Sequence, residues 1–287
     1  MSTTTAPTGL LRWRLPLRRP SLVAAVAGGI LAFWIGAALL GPALLPHSPI
    51  DFISDDSFAA PTAVAWLGTD YLSRDLLARL ISAARSTLLI SFLATLGAHL
   101  IGDTLGILAA LRGGWLAAGL ERGAEVMLSL PKLIVGLVVI ALVGPSATVL
   151  VLVTAGVYAA TVFRIARAIA LDLVGLDYIR AARLRGESMA WVMFGELLPN
   201  MLPLLAADFA LRMSFSILFM SNLSFLGLGV QPPMADWGGL VRENLEGLAS
   251  GSLAAVYPTL AIASVTISLN LLVDRWGSSG GAGEMRT

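Results

Sequence analysis

Six long apolar runs punctuate the chain, at 22–45, 86–111, 126–144, 146–163, 201–223 and 253–273, and polar residues gather between them. A helix rises ~1.5 Å per residue, so ~20 residues cross a hydrocarbon core of ~30 Å. The runs are continuously apolar, without the period-two alternation of a barrel strand, and each is too long for one. They predict an all-α membrane protein with six transmembrane helices. The first run follows a basic stretch, as a secretory signal would, but exceeds the ~7–15 residues of a signal core, so it reads as a retained span.

Composition strengthens this picture: 57% of the 287 residues are hydrophobic and 13% charged, where soluble domains carry about 25% charge. The chain has no Cys, which removes disulfides, thiolate metal sites and cysteine nucleophiles. A net charge of +1 and one lysine, Lys132, among 19 basic residues leave no basic stripe for nucleic acid.

Basic residues stay in the cytoplasm, and their distribution orients the chain. Arg12, Arg14, Arg18, Arg19, Arg112, Arg122, Arg164, Arg167, Arg180, Arg183, Arg185, Arg275 and Arg286 fall on one side. Only Arg74, Arg79, Arg85 and Arg242 fall on the other, amid Asp51, Asp55, Asp56, Asp70, Asp75, Asp236, Glu243 and Glu246. Both termini are therefore expected in the cytoplasm. The resulting plan is a cytoplasmic segment 1–21, a first span 22–45, an extracytoplasmic segment 46–85 and a five-helix core 86–273. That core carries a cytoplasmic loop 172–200 and an extracytoplasmic loop 224–252, and a Gly/Ser-rich tail 274–287 is expected to be disordered.

Three polar segments carry the chemistry. In loop 172–200, residues 178–186 read as a short helix ended by Gly186 in a left-handed C-cap, and residues 187–198 as a second one returning to the membrane at Pro199. Ala181 and Ala182 are small enough to admit a partner's surface, although on the residues alone a solvated amphipathic loop is the favoured reading. In 67–85, Asp70 is expected to N-cap an amphipathic helix on the outer face, with Asp75 and Arg79 paired at i, i+4. In 223–238, Gly227 and Gly229 permit sharp turns, Pro232-Pro233 stiffens the loop and Trp237 suits a membrane interface.

These segments resemble one family. Ala181-Ala182-x3-Gly186-x9-Glu196-x-Leu198-Pro199 is similar to the coupling-loop signature EAA-x3-G-x9-I-x-L-P of permease subunits of bacterial ABC importers. Arg180 stands in place of the signature's glutamate and Glu196 in place of its usual apolar residue or His. LGTDYLSRDLLARLISAAR at 67–85 is similar to the segment LGTDxxGRDxxxRLxxGAR of the C-type permeases of the oligopeptide, dipeptide and nickel branch; it includes Gly68, Thr69, Asp70, Arg74, Asp75, Arg79 and Arg85. LSFLGLGVQPPMADWG at 223–238 is similar to that branch's LSFLGLGVQPPxPxWG, with Ser224, Phe225, Gly227, Gly229, Gln231, Pro232 and Trp237, and Met220 stands where a glutamate is common.

The resemblance implies the six-helix, MetI-like architecture of type I importer permeases and half of a translocation path for di- or oligopeptides in the bacterial inner membrane. It also implies four kinds of partner: a homologous B-type permease, two ABC ATPase subunits or domains, an extracytoplasmic substrate-binding protein and the lipid bilayer. ATP and Mg would be bound by the ATPases, since the sole lysine follows Leu130-Pro131 and no G-x4-G-K-[ST] loop exists here. No catalytic residue, metal-ligand set or resident cofactor is expected.

Within the spans, His99 with Asp103 and Asp208 with Arg212 lie at i, i+4, as pathway residues or packing pairs. The same four residues support a rival reading, an ion-gradient-driven secondary transporter. Two others are an importer permease for nickel or another small solute, and a non-transporting scaffold. The coupling reading makes one firm demand: Gly186→Arg leaves membrane insertion intact and abolishes association with the ATPase. Retained association and normal uptake in that variant would count against it.

Overall fold

The computed structural model describes residues 22–281 apart from Pro46. Its first helix, α1 (Leu22–Leu44), is followed by a largely irregular segment and then by α2 (Leu76–Arg112). Further elements are α3 (Gly114–Ser129), α4 (Lys132–Val143), α5 (Ala147–Val174), α6 (Asp177–Leu184) and α7 (Met189–Trp191). A π-helical stretch Val192–Leu197 joins α7 to α8 (Leu198–Phe225); α9 (Trp237–Glu243), a 3-10 turn Leu245–Ser250 and α10 (Val256–Gly281) complete the chain. Among the described residues, five helices are long and apolar enough to span a membrane, and the bent pair α3–α4 makes a sixth when taken as one span.

Several boundaries differ from the apolar pattern. The second span starts at Leu76, so the amphipathic outer helix expected from Asp70 is simply the first part of α2. Asp75, not Asp70, is the N-cap: its carboxylate accepts from Leu77 N. At 37 residues and ~1.5 Å per residue, α2 reaches well beyond the hydrocarbon core. The run 126–144 is not one helix: Leu130 takes extended backbone before Pro131, and α3 and α4 meet at 89°. Proline disfavours helical backbone in the residue before it and lacks the N–H an uninterrupted helix would use. Helix α5 continues through Arg164, Arg167 and Asp172, and the second short helix of the coupling loop passes Pro199 without a break into α8. The backbone of α10 runs helically to Gly281, into the tail expected to be disordered, because helix extension costs little once a long apolar stretch has nucleated it. Segment 1–21 and residues 282–287 lie outside the described residues.

The centre of the bundle is the packing of α2 along α5. Ala94, Ala98, Gly102, Gly106 and Ala110 recur every fourth residue on α2 and are all buried. This is the small-residue stripe that lets helix backbones approach in lipid, where attraction comes from packing rather than from the hydrophobic effect. A Cβ on Gly102 would stand 2.7 Å from Val162 Cβ and 2.8 Å from the Ala159 carbonyl oxygen; one on Gly106 would stand 2.8 Å from the Phe163 carbonyl oxygen.

Around this spine sit two further cores. At the end that carries α9, Trp237, fully buried, packs with Leu80, Ala84, Leu240 and Val265, joining α2, α9 and α10. At the other end Ile107, Ala166, Ile179, Ala182, Val192 and Leu197 join α2, α5, α6 and the π-helical stretch. Gly102→Val overpacks the spine at a backbone contact and is expected to cost about 1–3 kcal/mol, read as a lower thermal midpoint in detergent; an unchanged midpoint would show that the helices can separate freely.

Candidate functional site

The two external motifs fold into one unit. Asp70 is fully buried, and its carboxylate accepts from Leu72 N and Arg74 N at 2.9 Å, from Arg74 Nε at 2.9 Å and from an Arg79 guanidinium nitrogen at 2.6 Å. The same Arg79 nitrogen lies 2.6 Å from Glu243 on α9, and Arg74 lies 3.7 Å from Glu243. Two guanidiniums thus neutralise two carboxylates across the motifs, and charge-assisted bonds of this kind are the strong ones. Tyr71 N donates to Asn244 Oδ1, closing a second link. Asp75, expected to pair with Arg79, instead caps α2 and lies 3.6 Å from His47.

The remaining motif residues shape this cap. Thr69 Oγ1 accepts from Ala59 N at 2.8 Å and donates to the Asp56 carbonyl, while Gly68, at φ +77, passes against the Ala59 carbonyl with no room for a Cβ. Ser73, where the related segments carry glycine, has φ +59, the left-handed region that favours glycine. Arg85 is exposed and outside the charge network.

In the second motif Gly227 turns at φ +88, whereas Gly229 serves close approach, its missing Cβ leaving space for Ser224. Ser224 Oγ donates to Asp236 at 2.8 Å, and Asp236 N-caps α9 by accepting from Gly239 N. Burial pushes the Asp236 carboxyl above its usual range, opposed by hydrogen bonds from Gly239, Ser224, Val230 and Gly238. Gln231 bonds its own loop at the Gly229 carbonyl, and Phe225 and Pro232 are exposed.

Trp237 is not an interface anchor. Its indole N–H donates to the Leu80 carbonyl, its backbone N–H donates to Thr87 Oγ1, and its ring meets Trp34 edge-on at 4.8 Å. An aromatic with a polar N–H satisfies both needs inside a core that offers a carbonyl. Glu243, Asn244, Asp236 and Trp34 complete the cap and were not singled out in the motifs; the only hint was opposite charge on two external segments.

The coupling segment is built differently. Ile179 and Ala182 face inward, so Ala182 seats α6 on the chain's own core instead of admitting a partner; Ala181 is exposed. Gly186 has φ +80 and closes α6 as expected: Gly186 N donates to the Arg183 carbonyl and Glu187 N to that of Ala182. Ser188 caps α7 through Trp191 N. Arg180 is exposed, 3.7 Å from Asp177; Glu196 lies 3.9 Å from Arg185. Burial, with Glu196 nearby, raises the Tyr178 hydroxyl above its usual pKa. Leu198 is half-buried and Pro199 is exposed in the first turn of α8. Three large apolar residues of the segment are exposed: Leu184, at 89%, and Trp191 and Phe194, each about half.

Inside the bundle the two polar pairs become one chain. His99 Nδ1 lies 3.1 Å from Asp103, its Nε2 lies 3.7 Å from Asp208, and Asp208 accepts from Arg212 Nε at 3.0 Å. The cluster links α2 to α8, with Thr95 and Ser216 bonded at 3.0 Å beside it. Lys132 lies over the Tyr158 ring, its ammonium 4.5 Å from the centroid and 3.4 Å from Thr161 Oγ1. Met220 meets Ser91 in the core at 3.6 Å. Arg79→Met removes the guanidinium that lies nearest both Asp70 and Glu243 and is expected to cost the cap about 3 kcal/mol, seen as faster proteolysis within residues 47–75; an unaltered cleavage rate would contradict this.

The chain is similar to a family of known proteins and to individual members of it. The profile of the family described as binding-protein-dependent transport system inner membrane component matches residues 102–278. The glutathione transport system permease protein GsiD of Pectobacterium atrosepticum is 32% identical over 91% of this chain and 87% of its own. The di/tripeptide transport system permease protein DppC of Pseudomonas aeruginosa is 32% identical over 86% and 84%. The oligopeptide transport system permease protein OppC of Mycobacterium bovis is 30% identical over 90% and 89%.

Proposed function

This chain belongs to the family of binding-protein-dependent transport system inner membrane components, and from that premise we propose how it works within a peptide importer. It is a multi-pass membrane permease subunit of an ABC importer, a transport component rather than an enzyme. The relatives carry the names of glutathione, di/tripeptide and oligopeptide systems, all short peptides, so a short peptide is the substrate class. Those names favour neither the ion-gradient reading nor the scaffold.

In this reading the chain forms half of a path completed by a B-type permease. Both termini lie in the cytoplasm, following the arginine asymmetry. Two ATPase subunits or domains bind ATP and Mg and engage the coupling segment, and an extracytoplasmic binding protein delivers substrate to the outer cap. Roles are assigned accordingly: Gly68, Thr69, Asp70, Arg74, Asp75, Arg79, Ser224, Gly227, Gly229 and Trp237 shape the cap. His99, Asp103, Asp208 and Arg212 hold α2 to α8 close to the path.

The observation that carries the reading is the exposure of Leu184, Trp191 and Phe194 on a segment whose Ile179, Ala182, Val192 and Leu197 are buried in the core. Exposed large apolar side chains at a polar loop mark a docking surface. Since Ile179, Ala182, Val192 and Leu197 bind that loop to α2 and α5, a displacement of the docked ATPase is transmitted to the spans as a rigid-body shift. Leu184→Asp combined with Trp191→Asp is expected to leave insertion and folding unchanged, to abolish co-purification of the ATPase in mild detergent, and to lower peptide uptake more than tenfold. Normal association and uptake in the double variant would reject this docking surface.

A further inference from the structure

Between α3 and α5 lies a cavity of about 340 Å3 that belongs to neither the cap nor the coupling surface. Its walls are Glu121 and Glu125 from α3 and Phe163, Arg164, Arg167 and Leu171 from α5. If α5 enters the hydrocarbon near Ala147, ~20 residues at ~1.5 Å each bring it to the opposite boundary close to Arg167. The cavity therefore sits at headgroup level, on the side of the membrane that carries α6.

Its charges are only partly used. Arg167 is ion-paired with Glu121, yet its Nε is buried without a hydrogen-bond partner. Arg164 lies one turn away at i, i+3 and has no partner among the described residues. Glu125 faces the cavity while bonded to Arg122 at its outer edge. Phe163 also lines a second cavity of about 320 Å3, otherwise walled by apolar residues such as Leu105, Leu120 and Met127. Two guanidiniums, two carboxylates and an adjoining apolar cleft match one kind of molecule: an anionic diester, a primary ammonium and an acyl chain on a single frame.

We propose that this cavity binds an aminophospholipid of the phosphatidylethanolamine type. Arg164 and Arg167 Nε donate to the phosphodiester oxygens, the ammonium donates to Glu125 and Glu121, and one acyl chain fills the cleft beside Phe163. Arginine suits this role because its planar donors match phosphate geometry, and basic pockets between spans are headgroup sites by the same electrostatics. The lipid staples α3 to α5 just before the α3–α4 bend. Only the leaflet assigned to it rests on the proposed orientation; retention of the lipid is read without ATPase or uptake.

The test uses the full chain, purified with its partner permease where the two travel together, stripped of lipid and mixed separately with palmitoyl-oleoyl phosphatidylethanolamine, phosphatidylglycerol or phosphatidylcholine. Native mass spectrometry is expected to show the ethanolamine lipid retained at least tenfold over the other two. Arg164→Gln should lower that retention about tenfold, and Glu125→Gln should bring the ethanolamine and glycerol lipids level. Because the chain lacks Cys, Ala168→Cys is a clean reporter, and its labelling by a maleimide should be blocked by the ethanolamine lipid. Equal retention of all three lipids, or undiminished retention in Arg164→Gln, would overturn the proposal. So would labelling of the Ala168→Cys variant that the partner permease blocks regardless of lipid, since a protein surface would then cover the cavity.

Discussion

Everything in this permease hangs on the close approach of α2 to α5. Gly102 and Gly106 bring α2 against the backbone of α5 at Ala159 and Phe163, a contact that any side chain would prop open. In lipid, two helices gain little by hiding apolar surface from one another, so contact at this distance is what dispersion and packing have to work with. The same helix continues past the hydrocarbon at both ends. Arg79 and Leu80 near its outer end anchor the cap, and Ile107 and Ala110 near its inner end sit in the core under α6. One helix thus takes part in both the cap and the core under α6.

The two ends treat polarity in opposite ways. At the outer cap the charges are internal: Asp70 and Arg79 are buried and satisfied within the chain. Breaking such a pair leaves an uncompensated buried charge, so the cap behaves as a preformed surface. At the coupling segment the charged residues Asp177, Arg180 and Arg183 are exposed, and large apolar residues of the same segment are left uncovered among the described residues. A surface of that composition is the kind that marks a docking site. Between the two ends, Asp103, His99, Asp208 and Arg212 form the charged link across α2 and α8, in a region where unpaired charge is expensive.

Much of this could be read from residues alone, and for identifiable reasons. Apolar length reveals a span because the bilayer has a fixed thickness. Gly186 revealed the end of α6 because a left-handed C-cap is a local requirement of the backbone. The Asp208–Arg212 and His99–Asp103 pairs were visible because i, i+4 contacts are set by helix geometry. Each of these depends on at most a few neighbouring residues.

What stayed hidden depends on neighbours distant in the chain. Pro131 announces a kink, but the 89° angle of α3 to α4 is a product of packing on α5 and α8. Trp237 looks like an interface residue until Leu80 supplies a carbonyl and Trp34 a ring. Ala182 looks like a contact for a partner until Ile179 and Val192 close over it. The bond of Arg79 in the first motif to Glu243 on α9, 164 positions away, and the approach of the two membrane pairs through His99 and Asp208, have no local signature. The amino-acid order therefore settled that the chain crosses the membrane several times, where α6 ends and which family it resembles. Only tertiary structure decided which side chains face inward, which charges meet and which apolar residues are left for a partner, because those outcomes are sums over contacts that backbone propensity and periodicity do not encode.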